Sequence, residues 1–235
     1  MCRKLCWVLG LSLIAVTLVA SPVLGQQGRG RGLFGRSQSL VSLAGNEAVQ
    51  KDIGLTDTGK VAPIVEEYRN AMRDATSGSD FQGLRDLPQA EQAAKMRELS
   101  AKLDAAQKKV NESVEPKLKE ALTADQLKRL GEIKIQANGI ASLSDAAVVK
   151  ELGLSEEQQK KIADIRAEGE KAQRELFGSG NNQEAFAKSR EVTEQTLAKA
   201  TDVLDAGQKE KLTALKGKPF DVSQLRFGGR GKTKN

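Results

Sequence analysis

The sequence predicts an all-α protein: two similar four-helix halves forming elongated antiparallel hairpins or a bundle, flanked by disordered tails. Three observations carry that expectation. Leu-Thr-Ala-Asp-Gln at 122–126 has the form of a helix start. Leu-Ser-Glu-Glu-Gln at 154–158 and Leu-Asp-Ala-Gly-Gln at 204–208 vary it at one fixed position, and Leu-Thr-Asp-Thr-Gly at 55–59 is a degenerate copy. Apolar residues between these starts recur every three or four positions, and no stretch alternates as a half-buried strand does. The order also repeats, with Val49-Gln-Lys-Asp-Ile-Gly-Leu-Thr56 aligning with Val148-Val-Lys-Glu-Leu-Gly-Leu-Ser155, and 122–130 with 204–212.

The starts have a physical content. A Thr followed three residues later by Gln is a capping box: the hydroxyl accepts from a backbone N–H of the first turn, and the amide reaches back to the N–H of the cap residue. Thr123 and Gln126 form the complete box, with Leu122 and Leu127 at the positions of a hydrophobic staple. Ser155 with Gln158, and Asp205 with Gln208, keep the box without the staple. Thr56 keeps only the cap, because Gly59 stands where Gln is wanted. Four helix starts are therefore expected, and these residues read as structural, not catalytic.

Residues 1–25 read as a secretory signal peptide, with Arg3 and Lys4 before an apolar run from Leu5 to Ala20. Val23-Leu24-Gly25 precedes an expected cut at Gln26, which places the mature protein in the periplasm or outside the cell. Pro22 closes the run, which is short for a membrane span. Both cysteines, Cys2 and Cys6, and the only tryptophan, Trp7, lie within the signal. The mature chain is then expected to hold no disulfide.

Residues 26–43 and 221–235 read as disordered tails. Gln26–Arg36 and Arg226–Asn235 are rich in glycine and base, and contain no acid. Arg29, Arg31 and Arg36 in the first, and Arg226, Arg230, Lys232 and Lys234 in the second, are candidate contacts to an anionic envelope surface. Arg-Gly segments can also bind single-stranded nucleic acid, but export makes that reading the weaker one. Of 37 Lys and Arg, two lie in the signal and seven in these tails, leaving 28 against 31 acids in the helical body. The body is thus slightly acidic although the sequence pI is about 9.3.

Two helical repeats, 44–139 and 140–220, are expected between the tails. Their helices fall near 45–53, 57–76, 87–121 and 124–138, then 145–152, 156–177, 182–203 and 206–216. Gly54, Gly139, Gly153 and Gly217 stand where helix ends want a left-handed residue. Gly78 and Gly178-Ser-Gly180 mark hairpin turns. The long third helix should carry a coiled-coil-like seam of Met96, Leu99, Leu103, Ala106 and Val110, and the sixth a seam of Ile162, Ile165, Gly169, Ala172 and Leu176. Val61, Ile64, Val65, Tyr68, Met72 and Ala75 give the second helix a broader stripe. On the seventh, Phe186, Val192 and Val203 are interleaved with Ser189, Thr193 and Thr196. Pro116 should kink or interrupt the third helix, and Pro63 should make the start of the second irregular.

No histidine occurs in the chain and no cysteine after Cys6, which removes the usual zinc ligands and the usual partners of an acyl-transfer nucleophile. No glycine-rich phosphate loop follows a strand pattern. Neither a cofactor nor a catalytic or metal-binding residue is expected, and the chain does not read as an enzyme. Carboxylate pairs such as Glu66/Glu67 and Glu156/Glu157 sit at adjacent positions, which point in different directions on a helix. Aromatic residues make up 3% of the chain and the seams use many Ala and Gly, so a thin core is expected.

The recurring Leu-Thr-x-x-Gln element, at helix starts of an exported all-helical chain without disulfides, resembles the LTxxQ-motif family of periplasmic proteins that includes Spy and CpxP. The likeness covers roughly residues 44–220 as architecture, and only 122–126 matches the motif in full. Members form curved helical cradles, often as antiparallel dimers, and act as ATP-independent chaperones or envelope-stress regulators. The resemblance therefore implies a non-enzymatic chaperone that binds unfolded or envelope proteins, either as a homodimer or with one duplicated chain supplying both halves. The chain departs from the family in its slightly acidic body, its few aromatics, and its lack of the histidines that zinc-binding relatives use. The alternative expectation is a structural or interaction protein of the cell envelope, tethered by its basic Gly/Arg-rich tails.

Overall fold

The computed structural model describes residues 37–77, 87–178 and 182–225. The expected signal peptide and cut site, both basic Gly-rich segments and Gly78 lie outside these residues. Helix α1 spans Leu40–Ala44 and α2 Glu47–Asp52, followed by a 3-10 turn at Thr58–Lys60 and α3 at Ala62–Thr76. Helix α4 is Gln89–Ala121 and α5 Ala124–Asn138; a 3-10 segment, Gly139–Ser144, leads to α6 at Ala146–Leu152. Then come α7 at Glu156–Gly178, α8 at Asn182–Asp202, α9 at Ala206–Lys216 and a last 3-10 turn at Val222–Gln224. The fold is all-α, with no strand among the described residues.

Two apolar clusters organise it. The first joins α1 to α5 through Val41, Leu43, Val49, Val61, Val114, Leu118, Leu130 and Ile133, among others. The second runs from Ile135 to Leu215, with Leu143, Leu152, Ile162, Ala200 and Leu212 buried in it. Each fully buried Leu, Ile or Val contributes on the order of 1.5–3 kcal/mol. Antiparallel packing of α3 on α4 and of α7 on α8 gives each half one long hairpin. With 33 residues, α4 extends about 50 Å at roughly 1.5 Å per residue.

All four expected glycines take positive φ: Gly54 at 65°, Gly139 at 51°, Gly153 at 65° and Gly217 at 59°. Pro63 shapes the start of α3 as expected. The 3-10 turn comes first, and Pro63 sits in the first helical turn, where its missing N–H costs nothing. Helix α4, in contrast, runs uninterrupted through Pro116. It stays anchored there because Val114 and Leu118, on either side of the proline, are fully buried in the first cluster.

The structure corrects both tail boundaries. Residues 26–43 do not form one tail: Leu40–Ala44 is helical, with Val41 and Leu43 0% and 1% exposed. Ser39 caps it by accepting from the Ser42 N–H at 3.1 Å. An apolar Leu-Val-Ser-Leu-Ala run behind a serine outweighs the glycine-rich composition preceding it. At the other end, 221–235 is not wholly a tail, since Leu225 is buried in the first cluster.

The seams are also rotated from expectation at two places. Met96 is 51% exposed, and the buried line of α4 is Leu99, Val110, Val114 and Leu118. In the α7–α8 hairpin, Gln173 is buried where Ala172 is expected, and on α8 Ala185, Ser189 and Thr196 are buried too. Gln173 Nε2 donates to Ser189 O at 3.2 Å and to Thr193 Oγ1 at 2.9 Å, which satisfies an amide that would otherwise be costly to bury.

Candidate functional site

The helix starts assemble as capping boxes. Thr123 Oγ1 accepts from the Gln126 N–H at 3.3 Å while Gln126 Oε1 accepts from the Thr123 N–H at 3.0 Å. Ser155 and Gln158 do the same at 3.2 and 3.1 Å, and Asp205 and Gln208 at 2.8 and 3.0 Å. Thr56 does not cap. Asp57 takes that role, accepting from the Gly59 N–H at 3.0 Å. Without a glutamine at position 59 nothing holds Thr56 as the cap, and the shorter Asp turn forms instead.

Each glutamine also has a second use that composition and spacing do not reveal. Gln126 Nε2 donates across the first half to Gly54 O at 3.3 Å, and Gln208 Nε2 across the second to Gly153 O at 3.4 Å. These are equivalent left-handed turns ending equivalent helices. In the second half the boxes meet: Gln158 Nε2 donates to Gln208 Oε1 at 2.7 Å and Gln208 Nε2 to Gln158 Oε1 at 3.1 Å. Gln158 also donates to Val203 O at 3.1 Å. A reciprocal amide pair needs a donor and an acceptor on each side chain, so glutamate, an equally good box residue, cannot replace either member. In the first half Gly59 leaves Gln126 without an opposing amide.

Helix α5 holds both ends of the described body. Asn138 accepts from the Gln38 N–H at 2.6 Å and donates to Gln38 O at 3.1 Å. About two and a half turns earlier in α5, Arg129 pairs with Asp52 at 2.6 Å and Glu132 at 2.9 Å. Chiefly through the Asp52 hydrogen bond, this raises the guanidinium pKa above its usual value. Gln136 and Arg129 bind the backbone at the end of α9 and just after it.

A groove of about 640 Å³ lies among 37–39, α4, the end of α5, the 3-10 segment after it and α7. Its wall mixes polar and apolar surface and is of balanced charge, with Asp104, Lys108, Glu112, Lys119, Asp145 and Arg166 among its members. Burial opposes ionisation of Asp145, but Lys134 at 2.7 Å and the N–H groups of Ala147 and Val148 outweigh it and hold its pKa below the usual range. The groove can bond polar groups, and Asn111 Oδ1 is buried on its wall without a partner among the described residues. It brings together no nucleophile and base of the usual type, since histidine and cysteine are missing from these positions.

Arg29, Arg31, Arg36, Arg226, Arg230, Lys232 and Lys234 lie outside the described residues. Of the carboxylate pairs, Glu67 bonds Lys117 at 2.6 Å, Glu66 faces Arg69 at 3.6 Å and Glu157 faces Lys161 at 2.8 Å. The described residues contain no cluster of three or more acids able to hold a metal. Glu98, on the outer face of α4, is drawn down to a pKa of about 2 by hydrogen bonds from Lys102 and Lys95. No described helix is long and apolar enough to cross a membrane.

Fold and site together define a class, an all-α hairpin protein framed by paired capping boxes. Searches with this chain return no matching family model, no matching curated protein and no matching solved structure.

Proposed function

We propose that the chain is an exported, non-enzymatic protein that binds unfolded clients without ATP, in the manner of Spy- and CpxP-like periplasmic chaperones or envelope-stress proteins. The observation that supports this reading is the arrangement of the boxes. The Leu-Thr-x-x-Gln-type starts serve as the internal framework, locked to left-handed turns and to each other. Long hairpin faces remain outside that framework, charged along most of their length, with exposed Met96 on α4. Flexible thioether and mixed charge suit weak, sequence-tolerant contacts. The test is aggregation of a reduced or heat-labile client at near-stoichiometric ratio without nucleotide. Suppression is expected, and unchanged aggregation removes the reading.

A second reading is favoured by one observation, the segregation of charge. Seven bases and no acid lie in 26–36 and 226–235, against a slightly acidic body. Such segments bind anionic polymers in a salt-dependent way. In this reading the protein is an envelope spacer held by its ends, and deleting both segments abolishes salt-sensitive envelope retention. Retention of the deleted form in the envelope fraction excludes it.

A further inference from the structure

After α9 the chain turns back onto the first half. Gly217 and Pro219 end the helix, and the residues up to Asp221 have no regular structure. Three hydrogen bonds fix this stretch to α5 and a fourth holds the last residue of α9, and every one is made to backbone. Arg129 Nη1 donates to Lys218 O at 2.7 Å. Gln136 Nε2 donates to Lys216 O at 2.6 Å and Lys218 O at 2.8 Å, and Gln136 Oε1 accepts from the Phe220 N–H at 2.8 Å. Two apolar side chains five residues apart, Phe220 and Leu225, then pack into the first cluster, with Leu225 only 7% exposed.

This is how a protein holds a foreign extended peptide: main-chain bonds supply affinity that does not depend on sequence, and pockets accept spaced side chains. We propose that α5 and the adjoining first core form a peptide-binding groove, filled in cis by residues 217–225. On release of this strap, the groove takes an extended client segment with two apolar side chains about five residues apart. The client part of this inference rests on the chaperone reading above. The groove itself does not.

Gly217 is the release point. Its φ of 59° and ψ of −145° lie in a region that is essentially glycine's alone. A Cβ there would also overlap the carboxylate of Glu132, the residue paired with Arg129. Alanine at 217 therefore disfavours the bound strap through its own backbone, and shifts the flexible Glu132 carboxylate from its place beside Arg129. A groove closed most of the time by its own strap binds an outside peptide more weakly by the fraction that is open. Strap release accordingly raises apparent affinity without any new contact.

The experiment uses the full chain as wild type, as Gly217→Ala, and as Phe220→Ala with Leu225→Ala. The probe is a fluorescein-labelled peptide of residues 216–225, read by anisotropy beside a control peptide with both apolar residues replaced by alanine. Circular dichroism establishes which variants are folded, and the second variant carries the test should the first not fold. The expected result is binding at least tenfold tighter by a released variant than by wild type, with at least tenfold weaker binding of the control peptide. Equal binding by wild type and a folded released variant, or equal binding of both peptides, overturns the groove. Released variants that dimerise by exchanging straps make a second copy the occupant and overturn the client assignment. Client aggregation is measured in parallel. Suppression indifferent to strap release and to added peptide rejects the groove as the client site while leaving the chaperone reading in place. Trans binding of the peptide without suppression by any form upholds the groove and removes that reading.

Discussion

Replacing Gln208 by glutamate is the sharpest test of the paired boxes. By the ordinary rules of helix capping the change is mild, since glutamate and glutamine serve equally at the third helical position. A carboxylate near a helix N-terminus even gains roughly 0.3–1 kcal/mol from the dipole. The structure predicts the opposite outcome. Gln208 is 8% exposed, and its Nε2 faces two acceptors, Gln158 Oε1 at 3.1 Å and Gly153 O at 3.4 Å. A second oxygen there deletes two donated bonds, each worth about 1 kcal/mol, and leaves acceptors opposed at about 1–3 kcal/mol more. Rotating the Gln158 amide gives no relief, because its oxygen already accepts from the Ser155 N–H and its nitrogen already donates to Val203 O.

After allowing for the dipole, the net loss at pH 7 is about 2–5 kcal/mol. For a body of roughly 190 residues this lowers Tm by about 4–20 °C. Thermal melts followed by circular dichroism measure it, with Gln126→Glu as the control. Gln126 has only its distant bond to Gly54 O at 3.3 Å to lose, so about 1 kcal/mol or less is expected. Burial against acceptors raises the folded-state pKa of a glutamate at 208 above the ordinary value near 4.3. The protonated acid donates again, so the deficit is small below that value and becomes complete as pH rises through the raised one. Wild-type stability of Gln208→Glu at pH 7 would show that the boxes are independent caps and refute the pairing argument.

Other substitutions test separate parts of the structure. Leu43→Ala removes a side chain that is 1% exposed and should cost about 2–4 kcal/mol in urea unfolding, whereas a residue in a disordered tail would cost nothing. Asp57→Ala should lower stability by about 0.5–1 kcal/mol and Thr56→Ala by less than about 0.5, because Asp57 holds the turn. Asp145→Asn keeps a capping side chain but loses the ion pair to Lys134, at about 0.5–1.5 kcal/mol near neutral pH. Since the folded-state pKa of Asp145 is depressed, its contribution is whole above the ordinary value of 3.8 and is lost as pH falls through the lower folded value. Urea midpoints of wild type and variant should therefore converge at the acid end of a pH series, and a constant difference would count against the ion pair.

Much of this architecture was legible before any coordinates because the chain punctuates its helices with local chemistry. Thr123, Ser155 and Asp205 announce starts through their own side chains, and Gly54, Gly139, Gly153 and Gly217 announce ends through backbone geometry that other residues avoid. What escaped the sequence depends on partners distant along the chain. The bonds from Gln126 to Gly54 and from Gln136 to Phe220 span 72 and 84 residues, and no spacing rule connects such positions. Helix α1 left a signal, a serine before Leu-Val-Ser-Leu-Ala, but five residues are too few to show a period. In the α7–α8 hairpin, small and polar side chains at Ala185, Ser189, Thr196 and Ala200 line the buried side, so a search for large apolar residues finds the wrong edge of the helix.

That hairpin has a consequence for assembly. Gln173 is a single amide enclosed between two helices, and only the local placement of Ser189 and Thr193 answers it. Sliding α8 by a turn, or exchanging it for the corresponding helix of another molecule in a shifted alignment, strands that amide against carbon. Small side chains alone would let the two rods glide past one another at little cost. The polar key makes one alignment preferred, at the expense of some cohesion, so the hairpin is held by a lock rather than by a broad adhesive face.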